Sequence, residues 1–258
     1  MRICASALLV AACIASGPAA AQLSRFTSDR QIVEQAALVA SGERVEIFQH
    51  GARVDPAFLP LAEKAYSALE GLVGRKLDTA TLGPKIRIYV SSAVTVSHLW
   101  RGYNHPQDPK AIVFLNPWVC QAALRGTNAT YAHEMAHLFT WRYRSHTLRE
   151  GIADYLALQI HPGAGVGPND SGYDAHGTIA ADMAEYLGTR REPPEWVVTD
   201  PHRRRLYYAA SYRFVKFLVE KAGMETFMQL YDSTDPESAI AALYGEGREA
   251  LIRSAGIH

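Results

Sequence analysis

The sequence predicts an α+β fold. Three observations carry that expectation. Hydrophobic alternation at period 2 occurs only before residue 117, apolar spacing at period 3.6 takes over from there, and no internal repeat or Pro/Gly/Ser linker separates independent units. A mixed sheet with helices over about 22–126 and a helical half over about 127–258 would form one compact domain with a cleft between them.

The first 21 residues stand apart from the fold. Met1-Arg2 is a short positive start, Ile3 to Gly17 is an apolar run, and Ala19-Ala20-Ala21 reads as a cleavage site before Gln22. An exported protein, periplasmic or secreted, is therefore expected. Val10-Ala11-Ala12-Cys13 offers an alternative, in which cleavage before Cys13 leaves a lipid anchor. Cys4 and Cys13 fall in this leader, so Cys120 is left without an internal disulfide partner and is read as a buried apolar residue.

From residue 22 the elements follow in order. A helix is expected over about 28–40. Val45-Glu46-Ile47-Phe48 alternates as a half-buried strand does, and Asp55 introduces an amphipathic helix carrying Phe58, Leu61, Ala65 and Leu69 and ending near Gly74. Lys85 to Val90 and Ala111 to Leu115 read as further strands, the second closed by Asn116-Pro117. Helices are expected over about 118–125, 128–143, 148–160, 176–187, 206–221 and 224–232, with a last pair near 236–254. The Gly/Pro-rich stretch 161–174 is the longest expected loop. Trp100, Trp118, Trp141 and Trp196 are read as core or cleft wall.

Lys+Arg and Asp+Glu each number 26; without Arg2, 25 face 26, a net of −1. This balance gives no electrostatic case for nucleic acid or an anionic membrane as partner, and Arg203-Arg204-Arg205 is short enough to be a solvated face. No stretch after the leader has the length of a transmembrane helix, so no integral membrane span is expected.

The chemistry concentrates in YAHEMAHLFTW, residues 131–141. On a helix His133 and His137 lie one turn apart on one face, so both imidazoles can direct a nitrogen at one point. Two neutral imidazoles are half of a tetrahedral zinc site. Glu134, about 100° around the helix, can reach a metal-held water without binding the metal, as a general base must. A catalytic zinc wants a third protein ligand, and His146, Glu150 and Asp154 lie downstream. His146 falls in the expected turn, where a histidine is ordinarily solvent-exposed. Glu150 is better placed, because LREGIADYLA (148–157) starts the next helix and a short turn would fold it back beside the histidines. Asp154, one turn on, could accept a hydrogen bond from the non-ligating nitrogen of His133. Gly151 suits a close helix approach, which would offset its cost of about 1 kcal/mol relative to alanine. Thr147-Leu148-Arg149-Glu150 also matches a capping box, in which Glu150 needs no metal. Thr140 and Tyr143 stand where the metzincin pattern requires Gly and His, which excludes that class, and a di-iron site lacks its second E-x-x-H.

H-E-x-x-H at 133–137 followed by E-G-I-A-D-Y at 150–155 resembles the gluzincin zinc metallopeptidases, the peptidase MA-like group of thermolysin-like and aminopeptidase-like enzymes. YYAASYRFVKFLVEKAG, 207–223, is similar to the Y-x-x-S-x-x-F-V helix of small bacterial members, so the resemblance covers roughly 111–223. It implies a compact zincin fold with an active-site helix and one Zn²⁺ on His133, His137 and Glu150. It also implies Glu134 as catalytic base, Asp154 supporting His133, and the strand Ala111 to Leu115 as the cleft edge along which a peptide or protein substrate pairs. The gap from His137 to Glu150 is shorter than in thermolysin-like enzymes. An oxyanion-stabilising donor is expected too; Tyr208 matches the pattern best, with Tyr207, Tyr212 and His202 as rivals and Ser211 read as helix packing. The alternative is a zinc-stabilised binding or scaffold module without turnover, although such sites ordinarily use four protein ligands and have no use for Glu134.

Overall fold

The computed structural model describes residues 29–100, 111–168, 187–188 and 190–257. The expected leader, the end of the 161–174 loop and nearly all of the helix expected over 176–187 lie outside the described residues. Strands β1 (Ala37–Ser41), β2 (Val45–His50), β3 (Ile86–Ser91), β4 (His98–Leu99) and β5 (Ile112–Leu115) form one sheet in the order β1-β2-β3-β5-β4. The three central strands are parallel, and β1 and β4 run antiparallel at the edges. Helix α1 covers 29–35, and α2 (Phe58–Val73) and α3 (Thr79–Leu82) carry the chain from β2 to β3. After the sheet come α4 (Pro117–Leu124), α5 (Thr130–Phe139) and α6 (His146–Ile160). The chain finishes with α7 (Trp196–Thr199), α8 (Pro201–Asp232), α9 (Pro236–Tyr244) and α10 (Arg248–Ser254). Sheet first and helices after is the expected α+β order.

The sheet is covered on both faces, which is what parallel strands require. Ile47, Ile88, Val90, Val113 and Leu115 pack with Phe58, Ala62 and Leu69 of α2 and with Ala132 and Met135 of α5 in the main core. Each large side chain fully buried there contributes roughly 1.5–3 kcal/mol. The other face carries Tyr89, Ile112 and Phe114 against Ile32 of α1. There, Phe48, Tyr89, Phe114 and His98 share one register across four strands, with rings stacked at 4.6, 5.6 and 5.1 Å. This ladder brings His98 to the sheet edge with its ring already oriented.

Several expectations are corrected. Residues 37–40, expected to close the first helix, belong to β1 (Ala37–Ser41). Gly42 N–H donates to Val45 O at 2.9 Å and closes a hairpin, and pairing with β2 decides the conformation. An exposed edge strand carries little alternation to announce itself. The strand expected over Ala111 to Leu115 is β5 (Ile112–Leu115), and it is not the edge of the sheet; β4 pairs along it, His98 opposite Phe114 and Leu99 opposite Val113. A two-residue strand is too short to leave a period. Helix α5 stops at Phe139, short of 143, because the Thr140 hydroxyl turns back to Ala136 O and Tyr231 of α8 donates to Thr140 O at 2.6 Å. Helix α8 begins at Pro201, where the Asp200 carboxylate accepts from the N–H groups of His202 and Arg203. It loses helical dihedrals only at Gly223 (φ 84°), between the two helices expected there. Trp118 is 49% exposed on α4 and belongs to no core, whereas Trp100 is buried and Trp141 and Trp196 pack against the main core. Cys120 is buried as expected, and burial pushes its thiol up to about 12. No helix among the described residues is long and apolar enough to cross a membrane.

Candidate metal centre

Three helices make the site. The turn 140–145 folds α6 back against α5, and α8 closes over α6. Gly151 permits that closure: a Cβ there would stand 2.4 Å from Ser211 O and 2.5 Å from Val215 Cγ2. Ser211 is a packing residue, fully buried, with its hydroxyl donating to Tyr207 O at 2.8 Å.

Inside this junction His133, His137 and Glu150 converge, all buried. The two Nε2 atoms are 3.0 Å apart, and Glu150 Oε2 lies 3.4 Å from His133 Nε2 and 3.5 Å from His137 Nε2. The rings meet nearly perpendicularly, at 82°, so each presents a nitrogen edge to the same point. His133 Nδ1 donates to Asp154 Oδ1 at 2.6 Å, and Asp154 is completely buried. That bond puts the ring proton on Nδ1 and leaves Nε2 as the lone pair facing the centre.

The electrostatics follow from burial and neighbours. Burial depresses the His133 imidazole, but the Asp154 carboxylate outweighs it and holds the ring well above its ordinary value. Burial, joined by the Arg149 cation, takes His137 down to about 3. Burial would raise Glu150, yet His137 and Arg149 hold it well below the usual carboxylate range. Glu134 is raised by burial, partly offset by its electrostatic interaction with the neighbouring His133.

The donor set fits a zinc ion. Two ligand atoms about 2.1 Å from a shared tetrahedral ion lie about 3.4 Å apart. The triangle of 3.0, 3.4 and 3.5 Å is that size. Two imidazoles and a carboxylate are also the donor chemistry zinc accepts. Among the described residues this is the single cluster of its kind.

Glu150 faces the histidines and does not cap a helix. Ser145 caps α6, its hydroxyl accepting from Leu148 N–H, and the capping-box reading of Thr147 falls with that geometry. His146 is not solvent-exposed: it opens α6, is 8% exposed, and places Nε2 3.5 Å from Glu150 Oε1. Arg149 approaches the same oxygen at 3.4 Å and lies over the Tyr143 ring. Arg149 escaped the sequence reading, and His146, considered there as a ligand, was placed in a solvent-exposed turn; the i, i+4 spacing of His146 and Glu150 becomes a signal once the helix start is known. Tyr208 is half-buried on α8, its phenol held well above the ordinary range by burial and the carboxylates of Glu150, Asp154 and Glu134. Tyr207 is committed elsewhere, to His146 and Thr147, and His202 is exposed.

No protein-family model matches the chain, and no curated protein does. Solved structures do. Native yeast LTA4 hydrolase matches at a TM-score of 0.47 and 13% identity, over 84% of this chain and 38% of that one. The native leukotriene A4 hydrolase from Saccharomyces cerevisiae matches at 0.48 and 14%, over 85% and 37%, and the yeast enzyme with bestatin at 0.48 and 13%, over 85% and 38%. The chain thus spans less than two fifths of the length of these proteins. What the site can do is decided by its own residues.

Proposed function

We propose that the protein is an exported zinc-dependent hydrolase of the gluzincin type, cleaving peptide bonds. The convergence of His133, His137 and Glu150 from two adjacent helices, with Glu134 beside the trio but outside it, carries this reading. A structural zinc site is closed by four protein ligands and leaves nothing for a buried neighbouring glutamate to do. When bound, zinc supplies Lewis acidity and lowers the pKa of a water it holds.

The remaining work falls to the chain's own groups. Glu134 takes the water's proton on its carboxylate and passes it to the nitrogen of the leaving amine. Its raised proton affinity suits a group that must both accept and release. Tyr208, kept protonated by burial and its carboxylate neighbours, donates to the carbonyl oxygen as negative charge develops there. Asp154 fixes the tautomer and orientation of His133. No covalent intermediate is needed.

The test is Glu134→Gln in purified protein, with zinc counted by elemental analysis and turnover followed on a peptide library. Turnover should fall by about 10²–10⁴ while about one zinc per chain is kept. Unchanged turnover on a substrate that wild type cleaves would remove Glu134 from the mechanism. A wild type that carries zinc yet cleaves nothing would favour the scaffold reading.

A further inference from the structure

Resting on the zinc-hydrolase reading, we propose that His146, backed by Tyr207, is a positioning residue for Glu150. It holds the carboxylate so that one oxygen stays turned toward the two imidazoles. The two oxygens of Glu150 have separate duties: Oε2 faces His133 and His137, whereas Oε1 faces His146 Nε2 at 3.5 Å and the Arg149 guanidinium at 3.4 Å. Behind His146 the contacts continue. Its Nδ1 is 3.1 Å from the Tyr207 hydroxyl, which is 3.0 Å from Thr147 Oγ1.

A carboxylate only accepts, so it is a hydrogen on His146 Nε2 that would face Glu150 Oε1 across the 3.5 Å contact. With that hydrogen in place, one consistent arrangement has Nδ1 accepting from the Tyr207 hydroxyl and the Tyr207 oxygen accepting from Thr147. His146, Thr147, Glu150 and Tyr207 are all buried, where a misdirected donor costs most. The relay spans α6 and α8: His146 and Glu150 sit one turn apart on α6, and Tyr207 reaches His146 across the close approach that Gly151 permits.

A carboxylate on a helix turns freely about its last torsion unless its second oxygen is held. Asp154 anchors His133 from behind, and His146 does the corresponding work for Glu150. Groups that orient ligands in this way typically change metal affinity 10–100-fold when removed.

The experiment measures the zinc dissociation constant of the purified chain by competition with a chromogenic chelator, with the melting temperature of metal-free protein as the folding control. His146→Leu should weaken zinc by about 10–100-fold, and His146→Gln, whose amide N–H can still donate to Oε1, should recover most of that loss. Tyr207→Phe removes one oxygen, keeps the ring's packing and should give a smaller weakening, so the relay stays testable even if a His146 variant folds poorly. An unchanged constant in His146→Leu overturns the relay while leaving the zinc reading intact. Equal weakening by leucine and glutamine overturns it too, since that reports packing rather than a hydrogen bond. A wild type that binds no zinc overturns the zinc reading and the relay together.

Discussion

Among the described residues two buried or half-buried histidine–aspartate pairs invite comparison: His133–Asp154 where α5 meets α6, and His98–Asp29 where the sheet edge meets α1. In both, a carboxylate makes the ring more basic, and both imidazoles stand above their ordinary value despite burial. They differ in what faces the second nitrogen. His98 Nε2 lies 3.1 Å from both Asp29 oxygens and its Nδ1 lies 2.8 Å from Val96 O. Carboxylate and carbonyl only accept, so both nitrogens of His98 carry protons and the ring is an imidazolium. His133 gives one nitrogen to Asp154, and the other faces His137 and Glu150 at the spacing a metal needs. The same residue pair therefore makes an ionic strut in one place and part of a group that could hold a metal in the other. Its surroundings, not its own chemistry, make the choice.

That contrast can be broken in stages. The largest effect belongs to His137→Ala, which should reduce zinc from about one per chain to near none, whereas His98→Ala keeps it; elemental analysis after gel filtration reads both. Asp154→Asn should weaken zinc by about 10–100-fold in a chelator competition. Asp29→Asn should leave that affinity unchanged, and comparable losses in the two variants would mean the pairs are not separate devices. Gly151→Ala drives a methyl into Ser211 O and should destabilise the fold by about 1–3 kcal/mol in urea titrations. Full stability with the alanine would show that α6 and α8 need not touch there.

The smallest effect is a pH dependence at His98, whose folded pKa is raised: burial lowers it, and the bonds to Asp29 and Val96 more than compensate. A raised folded value means its stabilisation is complete below an unfolded pKa of about 6.5 and is lost as pH rises through the folded one. The melting-temperature gap between wild type and Asp29→Asn should therefore shrink from about pH 6 to about pH 9. A constant gap would rule out the imidazolium.

Much of this was legible in the chain, for reasons that are local. The i, i+4 histidines, the Asp200-Pro201 helix start and the breaks at Gly74 and Gly223 act over a few residues and leave marks in the order of side chains. The Asp200-Pro201 signal starts the helix five residues before the expected 206. Other features had no local signature. Residues 37–41 form a strand because β2 lies beside them, and β4 is an edge because β5 needs a partner. Trp118 looked like core from its size alone and is exposed by its place on the outer side of α4.

By itself, the sequence determined the α+β order, the two histidines with Glu134 between them, and the close packing that Gly151 permits. Only the tertiary structure decided that Glu150 turns to the two histidines and not to a helix cap, that His146 is buried beside its other oxygen, and that Tyr207 bonds to His146 while Tyr208 feels the charge of Glu150, Asp154 and Glu134. The reason is distance along the chain. A helix face is set by neighbours one turn away, whereas the choice between two partners for one carboxylate depends on residues brought from more than ten positions off, and their arrival is an outcome of packing.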